Sequence, residues 1–258
     1  MKPKTLFGED LEKMRKACRV AAEVLDRTCK FVKEGVTTYD IDHFAKQTMA
    51  ELGCTSPCIN YQPAPEIPPF PRYICVSVND EVIHGIGRLD REIRDGDIVS
   101  IDIVTTYNGF NGDNTRTVLV GNVAPEVRKL CEVTEGALYA GISAARPGNR
   151  VCDISRAIER FVKPHVYGIV REFCGHGVGR SMHEEPQIPN YFARGEGKEK
   201  LRPGMTLAIE PMICLGSRQI DTAPDGWTIT TRDGKPAAHS EHTILITDGD
   251  PEILTVLS

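Results

Sequence analysis

The chain has 258 residues and a mass of 28.5 kDa, enough for one large domain or two small ones. Apolar residues make up 40% and charged residues 26%, a globular composition that excludes a disordered chain. The net charge is −5, from 31 basic and 36 acidic residues, which argues against nucleic acid as the main ligand because phosphate binding wants a basic stripe.

Leu11, Met14, Cys18, Ala21, Leu25, Cys29 and Val32 recur at helical spacing and predict a helix over 9–34, closed by Gly35. A second helix is predicted over 38–52. Thr37 or Thr38 is its N-cap, Ile41, Phe44, Ala45, Met49 and Leu52 lie on one face, and Gly53 ends it. Residues 54–71 are Pro-rich and irregular. YICVSV (73–78) reads as a strand, and DIVSIDIVTTYNGF with NTRTVLVG reads as two strands joined by an Asn/Gly-rich turn. Pro125 opens a third helix reaching about Ala145, and Ile154, Ala157, Ile158, Phe161 and Val162 mark a fourth. Further strands are expected around 168–174, 205–214, 227–231 and 241–247.

The order helix, helix, strands occurs twice. The junction inside the first helix pair is GVTTYDI (35–41) and inside the second GNRVCDI (148–154); both fit G-x4-D-I, 113 residues apart. A short match is a weak signal alone, since Gly ends helices anyway. With the repeated order it favours one domain, 1–258, built from two similar halves over about 9–120 and 124–247.

The longest stretch free of charged residues, 52–65, is full of Pro, Asn and Cys, so no membrane span is expected. The first residues, MKPKTLFGEDLEKMRK, contain no apolar run of the secretory kind. Nine Cys, an odd number without a CxxC, suggest reduced thiols and a cytoplasmic protein. Cys54 and Cys58 have no downstream Cys/His pair to complete a zinc finger and read as buried or pocket-lining thiols.

Three carboxylates stand where carboxylates are costly: Asp102 in IVSIDIV, Glu210 in TLAIEPMI and Glu241 in HSEHTILIT. An ionised carboxylate in an apolar strand must find a cation or take up a proton. One such residue is commonly a strand end reaching solvent. Three, with no Lys or Arg in the same strands, ask for a shared positive partner, and a divalent metal is the economical one. Asp113, eleven residues after Asp102 across the expected hairpin, joins the set, although alone it reads more readily as a turn residue capping its own backbone. His176 lies between two glycines in FCGHGVGRSMHEEP, where small neighbours allow close backbone approach and leave an imidazole free for a ligand; His183 follows seven residues later. Four carboxylates and one imidazole suit Mn²⁺, Fe²⁺, Co²⁺ or Zn²⁺. They exceed what one tetrahedral ion needs, and bridging carboxylates can hold two ions about 3.5–4 Å apart.

IDIVTTYNGFNGDNTR, CGHGVGRSMHEEP, GMTLAIEPM and SEHTILIT, in this order, closely resemble the signatures of type I methionine aminopeptidases, and VNDEVIHG resembles another segment of that family. The resemblance runs from the first helix to about Asp248. It implies an α+β pita-bread (creatinase/aminopeptidase-like) fold, two pseudo-symmetric halves around a dinuclear metal site. The implied activity is removal of the initiator methionine from nascent polypeptides with a small second residue. The implied ligands are Asp102, Asp113, His176, Glu210 and Glu241, with Asp113 and Glu241 bridging and Glu210 also the acid/base partner. His84 and His183 match the family histidines that contact the scissile amide and its tetrahedral intermediate. Cys58, Tyr61, Phe70, Cys75, Met182, Met212 and Trp227 fall where the family lines its methionine pocket, with His84 and His183 beside them; each of these lining residues read singly fits a plain core equally well.

The chain departs from the family pattern twice. Within QPAPEIPP, between Tyr61 and Phe70, it carries about six extra residues. His239, in AAHSEHT, stands where related sequences often show Gln, and a change of hydrogen bonding near the pocket mouth is expected. The short interval from His183 to Glu210 leaves no room for the helical insertion of type II enzymes, and no N-terminal zinc-binding extension is expected. Two rivals remain: a proline-specific peptidase on the same fold, aminopeptidase P or prolidase, and a non-enzymatic binding module. The first usually carries a large N-terminal domain, and the second loses metal ligands. The implied partners are N-termini of nascent polypeptides, with the ribosome near its tunnel exit as a further candidate, no membrane, no nucleic-acid function and a monomeric chain.

Overall fold

Helices α1 (Gly8–Phe31) and α2 (Thr38–Glu51) precede strands β1 (Cys75–Val78), β2 (Glu81–Ile83), β3 (Ile98–Tyr107) and β4 (Phe110–Leu119). Helices α3 (Pro125–Ala144) and α4 (Val151–Val162) precede β5 (Gly168–Ile169), β6 (Gly175–Gly177), β7 (Glu184–Ile188), β8 (Thr206–Ile209) and β9 (Met212–Cys214). The chain ends through β10 (Ile220–Thr222), β11 (Ile229–Thr231), β12 (Ala237–His239), β13 (Glu241–Leu245) and β14 (Glu252–Ile253). The structure, a computed structural model, describes residues 4–257.

One antiparallel sheet of eight strands runs β1-β3-β4-β13-β8-β6-β7, with β14 paired to β13. Two three-stranded sheets, β10-β11-β2 and β12-β9-β5, flank it. Strands from both halves of the sequence therefore meet at the centre of one sheet, where β4 pairs with β13.

Helix α1 buries Met14, Ala17, Cys18, Ala21, Val24 and Leu25, the stripe its 3.6-residue period sets. It lies hard against the hairpin of β3 and β4. A Cβ at Gly112 would come within 2.7 Å of the Ala17 carbonyl, so only glycine allows that approach. The Thr37 side chain accepts from the Asp40 backbone N–H while the Asp40 carboxylate accepts from the Thr37 N–H, a reciprocal cap that starts α2.

The second helix pair repeats the device. Gly35 and Gly148 both have φ of +87°, and Asp40 and Asp153 each accept the backbone N–H three residues back at 2.9 Å, from Thr37 and Arg150. Thr37 and Arg150 then form isolated bridges to Glu92 and Lys200. The G-x4-D-I repeat is thus a repeat of the backbone turn that reverses each helix pair. Each half also has its own apolar layer: Val24, Ile41, Ile74 and Ile101 in the first, Leu130, Ile154, Leu207 and Ile244 in the second.

Several expected boundaries shift. The first helix stops at Phe31, because Val32 turns extended ahead of the Lys33–Gly35 turn. The first strand begins at Cys75. The single strand expected over 205–214 is two, β8 and β9, separated at Glu210–Pro211, since proline has no N–H for the ladder. Strands β2, β7, β10, β12 and β14 carry no periodic signal of their own; four of the five are two or three residues long. All nine cysteines are unpaired, with Cys54 and Cys58 both buried as expected.

Candidate metal centre

Register brings the acidic residues together. Cys75 pairs with Asp102, Asp102 with Thr115, and Thr115 with Glu241, so these side chains form one row on one face across β1, β3, β4 and β13. Ile209 pairs with His242, which sets Glu210, the next residue, alongside Glu241. Asp113 does not face Asp102 directly. It is the fourth residue of β4 and pairs with Val104, so the two aspartates are diagonal neighbours on the same face. The break at Pro211 ends β8 at the point where Glu210 turns into the site.

His176 enters from β6, whose flanking glycines are needed for close packing. A Cβ on Gly175 would lie 2.4 Å from the Ala208 carbonyl and one on Gly177 2.3 Å from the Glu185 carbonyl. The His176 Nδ1 sits 2.9 Å from the Gly177 carbonyl and donates to it, which leaves Nε2 as the lone-pair nitrogen. That Nε2 is 3.4 Å from Glu210 Oε1 and 3.7 Å from Asp113 Oδ2. One donor atom each from Asp113, His176 and Glu241 all lie within 4.8 Å of one another. Thr115, not anticipated from the sequence, donates to Glu241 Oε2 at 2.9 Å. Glu241 Oε1 is buried with no hydrogen-bond partner among the described residues.

Without a cation these charges oppose one another. Burial pushes the carboxyls of Asp102, Asp113, Glu210 and Glu241 up from their ordinary range. For Asp113 the charges of Asp102 and Glu210 add to burial, and for Glu241 those of Asp113, Glu210 and Asp102. Burial pushes His176 down to about 3 and His84 down to about 4, so both imidazoles are neutral at physiological pH.

A soft apolar cluster adjoins these carboxylates, joined to them where Cys75 pairs with Asp102. Cys58, Phe70, Cys75 and Trp227 pack together with Val104, and Tyr61, Ile67, Ile86 and Met182 edge them. Phe70 meets Trp227 edge-on at 5.2 Å between ring centroids. Met212 does not belong here. It is buried in the neighbouring cluster with Val82, Ile83, Val170 and Ile229, because β9 faces the three-stranded sheet. His84, with φ of +57°, points its ring between Phe173 and Trp227, at 5.4 and 6.1 Å. His183 stacks edge-on against His176 at 4.6 Å, and its Nδ1 is 3.3 Å from the Tyr61 hydroxyl. His239 is buried beside Glu210, away from the pocket mouth where the sequence placed it.

The sequence matches metallopeptidase family M24 over residues 12–248. The chain belongs to that family. It is 44% identical over 248 residues to methionine aminopeptidase 1 of Bacillus subtilis, 94% of each chain being covered. It superposes with a TM-score of 0.93 on methionine aminopeptidase from Rickettsia prowazekii, at 38% identity over 99% of this chain and 100% of that one. Prolidase from Pyrococcus furiosus is a more distant match, with a TM-score of 0.78 and 24% identity over 98% of this chain and 66% of the other, a likeness of fold. The pita-bread fold is common to these M24 proteins.

The M24 fold implies a divalent cation, and this donor set fits one. The donors are hard oxygens with one neutral imidazole whose ligating nitrogen is already chosen, and the buried orphan Glu241 Oε1 needs a positive partner. Thr115, Ile67, Ile86 and Phe173 are not among the residues anticipated for the site. Their contacts arise from register and loop path, and no residue pattern marks them.

Proposed function

We propose that this M24 metallopeptidase is a methionine aminopeptidase that removes the initiator methionine from nascent polypeptides with a small second residue. The observation that carries this reading is the convergence of Asp113, His176 and Glu241 within 4.8 Å, beside a pocket of aromatic, Met and Cys side chains. In this reading two divalent ions, of Mn²⁺, Fe²⁺, Co²⁺ or Zn²⁺, are held by Asp102, Asp113, His176, Glu210 and Glu241. When bound, such ions supply a nucleophile at neutral pH and Lewis-acid stabilisation of developing negative charge.

The residues do the rest. Asp113 and Glu241 each offer two oxygens and would be the bridges. Thr115 fixes Glu241 Oε2 and leaves Oε1 for a cation. Glu210, set between His176 and His239 at the edge of the donor group, is placed to take a proton at the nucleophile and return it to the leaving amine. His84 is neutral and offers one N–H toward the scissile carbonyl; His183, at the outer edge, holds the amide as it becomes tetrahedral. Cys58, Tyr61, Phe70, Cys75, Met182 and Trp227 receive the thioether, for which sulfur–ring contacts add modest attraction. The whole of 1–258 acts as one catalytic domain. Its partners are polypeptide N-termini, with ribosome docking and a monomeric state part of the same proposal. Among the described residues no helix is long and apolar enough to cross a membrane. The proposed compartment is the cytoplasm, in keeping with nine unpaired thiols.

Metal analysis combined with hydrolysis of Met-Ala-Ser against Ala-Pro-containing peptides tests this reading. Release of methionine by the metal-loaded protein, with no turnover of the Ala-Pro peptides, is expected. The reverse preference would make it a proline-specific peptidase.

A further inference from the structure

His239 ends β12 two residues before Glu241, and its side chain is 2% exposed. Its backbone is clamped to β4: the His239 N–H donates to Thr117 Oγ1 at 3.1 Å, and the Thr117 hydroxyl donates to the His239 carbonyl at 2.7 Å. The ring is therefore held in place. Yet neither ring nitrogen has a hydrogen-bond partner among the described residues. Buried polar groups are nearly always satisfied, so this orphan pair calls for a use.

Among the described residues the carboxylate within 4 Å of the His239 ring is that of Glu210. Its Oε2 lies 3.6 Å from His239 Nε2, while its Oε1 lies 3.4 Å from His176 Nε2. The carboxylate stands between two imidazoles, one oxygen turned to each. His176 belongs to the compact donor group with Asp113 and Glu241 and His239 does not, so His239 meets the oxygen opposite the one that His176 meets. In the metal-loaded state Glu210 is an ionised carboxylate and accepts only, so His239 Nε2, facing Oε2, carries the hydrogen, whereas His176, whose hydrogen is on Nδ1, turns a bare Nε2 to the cation. A closing movement of about 0.6 Å brings the pair to ordinary hydrogen-bond length.

We propose that His239 is a positioning residue whose Nε2–H is donated to Glu210 Oε2, fixing which carboxylate oxygen faces the metal cluster. The last torsion of a Glu side chain is otherwise broad, and an unheld carboxylate would present either oxygen at a range of angles. The inference rests on the metal-site reading given under Proposed function. Partners of this outer kind orient ligands, and their loss weakens metal binding without removing a ligand.

The test uses the full chain and Mn²⁺ titrated calorimetrically into metal-free protein, with kcat and KM measured on Met-Ala-Ser. His239→Ala should raise the Mn²⁺ dissociation constant by a factor on the order of 10–100 and lower kcat while leaving KM within about threefold. His239→Gln, whose amide N–H reaches the same oxygen, should restore both to within about threefold of wild type. Wild-type Mn²⁺ affinity and kcat in His239→Ala, or no rescue by His239→Gln, would overturn the proposal while leaving the metal site standing. A wild-type protein that binds no Mn²⁺ would instead remove the metal-site reading itself. Independently of any variant, nitrogen NMR of the zinc-loaded, histidine-labelled wild type should report His239 as the Nε2–H tautomer. A metal-bound Nε2 with the hydrogen on Nδ1 would make His239 a ligand and contradict the assignment.

Discussion

Trp227 donates its indole N–H to the Pro68 carbonyl at 2.7 Å. That bond joins a pocket wall to the Pro-rich loop, and Gly226 closes against the Pro68 ring, where a Cβ would come within 3.1 Å. The loop is also self-bound. The Phe70 N–H donates to the Tyr61 carbonyl at 2.9 Å, and Gln62 Nε2 donates to the Ile67 carbonyl at 2.8 Å. Ile67 packs beside the pocket cluster.

The loop should therefore shape substrate choice. Shortening the segment between Tyr61 and Phe70 should change the ratios of kcat/KM across Met-Ala, Met-Gly, Met-Val and Met-Thr peptides, with metal content unchanged. Surface loops accept insertions cheaply. Unchanged ratios in a folded, metallated variant would therefore mark the loop as having no part in selection.

His183 touches the His176 ring but lies outside the compact donor group. His183→Ala should keep its metals and lose a factor on the order of 10²–10⁴ in kcat/KM, the range for a positioned proton-transfer or oxyanion group. Elemental analysis alongside kinetics checks both halves. A metal-depleted variant would make His183 a ligand.

Gly177→Ala should destabilise the fold, because the new methyl meets the Glu185 backbone carbonyl at 2.3 Å and neither strand can yield cheaply. A loss of about 2 kcal/mol or more is expected, read from urea denaturation. Since Gly177 also carries the carbonyl that orients His176, metal affinity should fall with it.

The carboxyls of Asp113, Glu210 and Glu241 are raised well above their ordinary range in the metal-free fold, by burial first and by the charges of neighbouring carboxylates, Asp102 among them, second. In the unfolded chain they titrate near 4. The unfolded chain sheds these protons near pH 4 while the folded metal-free chain keeps them to higher pH, so its stability falls as pH rises above about 4 and levels off once the folded carboxyls have ionised. A cation replaces those protons and removes the cost. The rise in melting temperature on adding Mn²⁺ should therefore be larger at pH 7 than at pH 5. An equal or smaller rise at pH 7 would show that these carboxyls are ionised and satisfied without metal.

The chemistry was more legible in the sequence than the strand map. Asp102 and Glu241 stand out because an acid inside an apolar strand has few explanations. His176 stands out because two glycines flank it. Strands β2 and β12, at three residues each, are too short to show a period of two, so their pairing is decided by tertiary context. Met212 illustrates the same limit. Its identity suits a thioether pocket, but the break at Pro211 swings β9 into the other sheet, and it packs there. Thr115 has no signal at all in NTRTVLVG. Only the register that sets it between Asp102 and Glu241 shows its use.

The central claim is that two divalent ions share the carboxylates of this site, and the stoichiometry of Asp113→Ala against wild type tests it most directly. Wild type, reconstituted with Mn²⁺ and desalted, should retain about two ions per chain by elemental analysis. Asp113→Ala, lacking one bridge, should retain fewer and turn over no Met-Ala-Ser. A variant with wild-type metal content and activity would contradict the shared, two-ion centre.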